Sequence, residues 1–129
     1  MVVAAAACGA GRADFGDRRL SDVRAALRTG DLEICSETRR PDGLANEAID
    51  TRIYTVAIDC AGERVRVTVD RFDDADARDG AARQFESLTR PRSDGVVWTF
   101  GPYTLFANGT RDDDVMERLT DALDAAGAK

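Results

Sequence analysis

Apolar side chains recur along this chain with two different periods, and the switches between them mark out a run of short helices and strands. Leu20, Val23 and Leu27 recur at helical spacing behind Ser21, a residue type that caps helices, and Gly30 stops the run. Leu32 and Ile34 then alternate with Asp31, Glu33 and Cys35, which predicts a short strand. Residues 36–51 are polar and contain Pro41-Asp42-Gly43, a turn signal, and read as the longest loop. Tyr54, Val56 and Ile58 line one face of a strand over Ile53–Asp59, and Ala61-Gly62-Glu63 makes the turn. Val65, Val67 and Val69 alternate with Arg64, Arg66, Thr68 and Asp70 in the clearest period-2 pattern of the sequence.

The same order then repeats. Asp73 or Asp74 caps a helix whose stripe is Ala77, Ala81, Phe85 and Leu88, ended by Thr89-Arg90-Pro91. A second hairpin carries Val96, Trp98 and Phe100, bends at Gly101-Pro102 and returns through Tyr103, Leu105 and Ala107. Asp112-Asp113-Asp114 opens a last helix, where carboxylates favour the positive end of the dipole, with Val115, Met116, Leu119, Leu123 and Ala126 on one stripe. Each hairpin must bury its apolar side against something. The expected fold is therefore α+β, in the order α-β-ββα-ββα. An antiparallel sheet of four to five strands carries helices packed on one face, and residues 18–129 form a single domain.

Composition narrows the functions this fold could carry. The chain has 129 residues, a net charge of −6 and no histidine. So acidic a domain repels nucleic acid, whose affinity for proteins comes largely from phosphate neutralisation by Lys and Arg. Without histidine it lacks the commonest general base and the commonest metal ligand. None of Ser21, Ser36, Ser87 and Ser93 stands in a nucleophile-elbow sequence. Three dispersed cysteines with no CxxC spacing do not make a zinc set. Asp70, Asp73, Asp74, Asp76 and Asp79 are dense enough to suggest a calcium loop, but Gly80 comes one place late and Phe85 stands where the bidentate Glu belongs. The cluster reads as the solvated start of a helix. No catalytic constellation, cofactor site or metal site is expected, and a carboxylate-only hydrolase is the weakest of three function classes.

The cysteines say more. Cys35 ends the first predicted strand and Cys60 ends the next long one; if those strands are neighbours, the two can bond and close a loop of 25 residues (35 to 60). Two reduced thiols in a cytosolic regulatory or interaction domain are the alternative. Met-Val-Val-Ala-Ala-Ala-Ala precedes Cys8-Gly9, and small residues at Ala5, Ala6 and Ala7 before a cysteine resemble the lipobox of bacterial lipoproteins. That resemblance implies acylation at Cys8, an extracytoplasmic, membrane-anchored protein, and residues 1–17 as signal remnant, tether and flexible linker. The segment departs from a full signal peptide in being short and in having no basic residue before Arg12. Small bacterial lipoproteins with a cystine-tied α+β body are the family it looks like, which implies a binding module and not an enzyme. Trp98, Phe100, Tyr103 and Phe106 concentrate half the aromatics in one hairpin and form a candidate partner-binding patch.

Overall fold

The structure is a computed structural model, and it describes residues 15–16, 18–40, 47–89, 95–108 and 113–129. Its elements are α1 (Leu20–Leu27), β1 (Glu33–Arg40), β2 (Asp50–Ala57), β3 (Val65–Arg71), α2 (Ala75–Thr89), β4 (Gly95–Phe100), β5 (Tyr103–Asn108) and α3 (Asp114–Ala125). The five strands make one sheet in the order β1-β2-β3-β5-β4, antiparallel at every neighbouring pair. The α+β class and the element order are those that the periodicity predicts.

One face of the sheet carries the main core. Tyr54 and Val56 of β2, Val65, Val67 and Val69 of β3, Leu105 and Ala107 of β5, and Trp98 and Phe100 of β4 are all buried there. Against them pack Val23, Ala26 and Leu27 of α1 and Val115, Met116, Leu119, Ala122 and Leu123 of α3. The α3 stripe runs over about two turns at i, i+4 and i+8 spacing, with Val115, Leu119 and Leu123 all buried in the core. Asp113 caps it, its carboxylate accepting the Val115 N–H at 2.8 Å.

Helix α2 departs from the expectation of a single covered face. The α2 side chain Phe85 stacks on Phe106 at 5.0 Å between ring centroids. Phe106 alternates with the core residues Leu105 and Ala107, so α2 lies on the opposite face. Topology supplies the reason. Strands β3 and β4 are both antiparallel to β5, hence parallel to each other, and α2 is the crossover between them. Such crossovers are right-handed almost without exception, which leaves only one face of a twisted sheet open to them. Helix α3 follows the last strand and has no return to make, so it is free to fill the other side. Leu88, expected on the α2 stripe, is 65% exposed, while Ala82 takes its place in the buried set.

The segment expected to be a long loop is largely strand. β1 continues through Ser36 to Arg40 and pairs with β2 as far as Arg40 opposite Thr51. Its side chains beyond Cys35 are exposed, so it carries no alternating apolar signal; the backbone ladder and polar contacts such as Ser36–Thr55 and Arg39–Asp50 hold it to β2. A β-bulge between Ile34 and Ser36 also shifts the alternation by one residue.

Candidate functional site

The bulge is what joins the two cysteines. Cys35 is its extra residue, with no partner on β2, while Cys60 lies in the β2–β3 turn, beyond the end of its strand. Asp59 shapes that turn: its carboxylate accepts the Ala61 N–H at 3.0 Å, and its carbonyl accepts the Gly62 N–H at 2.8 Å. Arg64 donates to the Cys60 carbonyl at 2.8 Å. With the turn held this way, Cys35 and Cys60 form a disulfide with Cα atoms 5.6 Å apart. The predicted pairing is therefore present, although neither residue stands at a strand end as the sequence pattern suggested. Cys8 lies outside the described residues.

The aromatic patch does not form a surface. Trp98, Phe100 and Tyr103 are 4%, 3% and 6% exposed and belong to the main core, and Phe106 is half-buried under Phe85. Period-2 alternation sends Trp98 and Phe100 inward from β4, and α3 closes over them. The candidate partner-binding patch at Trp98, Phe100, Tyr103 and Phe106 is therefore not one exposed face: three of its side chains lie in the main core and Phe106 stacks on the opposite side of the sheet.

The acidic segment divides into separate local tasks. Asp70 is buried on β3, where it accepts the hydroxyl of Thr51 from the neighbouring strand. Asp74 accepts the Ala77 N–H at 2.8 Å and so caps α2. Asp79 pairs with Arg78 at 2.8 Å, and Arg78 in turn donates to the Gly101 carbonyl. Among the described residues no group of three Cys, Asp or Glu side chains converges as a metal ion requires. A recess of about 690 Å³ beside this segment is lined by Phe15, Glu47, Asp73, Asp74 and Asp76. Among the described residues of that wall the four carboxylates make it an acidic hollow, with Arg78 beside it over the Phe15 ring at 5.3 Å.

A second charged cluster lies where α1 meets β1 and β2. Glu37 takes Arg24 at 2.7 Å and Arg52 at 2.9 Å, and Asp50 takes Arg39 at 3.0 Å and Arg52 at 3.3 Å. The hydrogen bond from Arg24 holds Glu37 below the usual carboxylate range, with Arg52 adding its charge. Burial alone would raise Asp50, yet hydrogen bonds from Arg39 and Arg52 outweigh it and its pKa is lowered. Tyr54 lies beneath, its phenol pushed up to about 12 by burial first and by the Glu37 charge second. Among the described residues its hydroxyl has no hydrogen bond of standard geometry. Every carboxylate in this chain of ion pairs is already engaged by two guanidiniums, which makes it a clamp between α1 and the β1–β2 ribbon.

The recess with unspent chemistry lies at the end of the sheet where the described chain begins. It has a volume of about 480 Å³ and is lined by Phe15, Gly16, Arg18, Arg19, Leu20, Arg71, Phe72, Asp73, Pro102 and Tyr103. Three arginines face one carboxylate there, in a protein of net charge −6. Sequence reasoning passed over it because Arg18 and Arg19 are 50 residues and more from Arg71, and no motif links them. The Arg71–Tyr103 pairing between β3 and β5 brings them to one end. Among the described residues no helix is long and apolar enough to cross a membrane. Comparison of the chain with protein-family models, with curated proteins and with solved structures finds no match in any of the three.

Proposed function

We propose that this protein is an extracytoplasmic binding module, tethered to a membrane by a lipid on Cys8 and without catalytic activity of its own. The observation that carries this reading is the Cys35–Cys60 disulfide, since such bonds persist in oxidising compartments and are rare in the cytosol. The Ala5-Ala6-Ala7-Cys8 sequence supports it independently through its likeness to a lipobox. The two features share no residue.

Mass spectrometry of the protein from its native host tests the reading. Diacylglycerol on Cys8, together with a Cys35–Cys60 peptide pair seen only without reductant, is the expected result. A protein with an unmodified Met1 and three thiols open to alkylation would be a cytosolic regulatory domain instead, and the proposal would be abandoned.

A further inference from the structure

The geometry points to the recess between Arg19, Arg71 and Tyr103 as a binding site for a phosphate monoester. The wall residues have different duties. Arg18 is already occupied: its guanidinium lies 4.7 Å above the Phe100 ring and donates to the Ala126 carbonyl at 3.4 Å. It therefore contributes charge and leaves the donor work to others. Arg19 and Arg71 are exposed, make no ion pair among the described residues, and each presents a planar fork of N–H donors suited to phosphate oxygens.

Two further features favour an anion. Arg19 is the N-cap and Leu20 the first residue of α1, so the positive end of the helix dipole faces the same space, although Asp22 offsets part of it. Tyr103 lines the recess with a phenol that is protonated at neutral pH, its pKa pushed further up by burial, and so can donate. Donor count selects the class of ligand. Among the described lining residues the forks of Arg19 and Arg71 and the Tyr103 hydroxyl offer more donors than the two oxygens of a carboxylate take up, and a phosphate monoester brings three strong acceptor oxygens. Asp73, Asp22 and Asp50 lie close enough to lower the net positive charge, so donor geometry and not charge excess makes the choice.

Such a group can belong to a soluble phosphomonoester or to a phosphatidate headgroup. The site itself holds whether or not Cys8 is acylated; only the lipid source rests on the tether. The recess is lined by Phe15 and Gly16, which follow Cys8 by only seven and eight residues in the sequence, so a lipid on Cys8 would keep it within a short length of chain of the membrane.

NMR titration of the full chain carrying Cys8→Ser with glycerol phosphate, at constant ionic strength, tests the site. Saturable shifts confined to Arg18–Leu20, Arg71–Asp73 and Tyr103 are expected, with acetate binding about tenfold more weakly. Arg19→Gln and Arg71→Gln should each weaken glycerol phosphate about tenfold or more, whereas Asp73→Asn should tighten it. Arg83→Gln, an equal loss of charge on α2, should change nothing. Sedimentation with phosphatidylcholine vesicles, with and without phosphatidate, separates the sources. Retention lost in Arg71→Gln assigns the lipid; solution binding without retention assigns a soluble ligand. Absence of saturation, equal binding of acetate, or indifference to Arg71→Gln overturns the site.

Discussion

Gly101 and Glu37 show how single residues carry this fold for opposite reasons, one by what it lacks and the other by what it holds. Gly101 has φ +57°, and a Cβ there would run into the side-chain stem of Arg18. It lets the β4–β5 turn lie under the chain that enters at Arg18. Gly101→Ala should therefore lower stability by about 1–3 kcal/mol through strain and collision, measured by denaturant unfolding. Glu37 works through charge. Because Glu37 and Asp50 have lowered pKa values, the unfolded chain binds protons more readily than the native one as pH falls. Their contribution is complete above the ordinary carboxylate range and is lost as pH drops through their native values. Both are partly exposed, so each is worth about 0.5–1 kcal/mol. In Glu37→Gln/Asp50→Asn the fall of melting temperature with acid should be shallower than in the wild type. An unchanged slope would show that other carboxylates dominate.

Among the elements, legibility followed how regularly apolar and polar positions alternate. Helix α3 buries one whole apolar stripe. Strand β3, though Thr68 and Asp70 on its second face are buried too, keeps its valines on one face and polar residues on the other. In both the period survives intact, and both were plain in the sequence. β1 was not. It is an edge strand, exposed on both sides beyond Cys35, and its bulge breaks the count, so Ser36–Arg40 looked like loop. The disulfide at that bulge compensates for the strand's lack of apolar anchoring. Its loop of 25 residues gives a chain-entropy contribution of roughly 3.5 kcal/mol. Cys35→Ser/Cys60→Ser should lose about that much. Hydrogen exchange in this variant should rise first in β1, whose other attachments are the ladder to β2 and the exposed polar contacts of Ser36, Glu37 and Arg39. Exchange that rises evenly over all five strands would mean that the bond acts on the unfolded chain alone.

At the scale of the molecule, the sheet is covered unequally, and the two faces should differ in stability. α1 and α3 share a continuous core with all the central strands, whereas α2 contributes only Ala81, Ala82 and Thr89 as buried residues, plus the Phe85 stack. Gly80 sits within its length and weakens it further. Native-state hydrogen exchange should show α2 opening at lower free energy than β3, β5 or α3. Phe85→Ala should widen that gap while leaving the core strands protected. Protection of α2 equal to that of β5 would contradict this partition.

Local pattern was enough to determine the α+β class, the order of elements, the inward path of Val65, Val67 and Val69, and which cysteines could pair. These follow from periods of 2.0 and 3.6 residues, which neighbouring side chains impose on one another within a few residues. Tertiary structure alone decided four other matters. They are the face taken by α2, the bulge that aims Cys35 at Cys60, the burial of Trp98, Phe100 and Tyr103, and the meeting of Arg19 with Arg71. Each depends on which strands become neighbours and on the handedness of the connection between them. Residues far apart in the chain leave no period in the sequence to announce that they will meet.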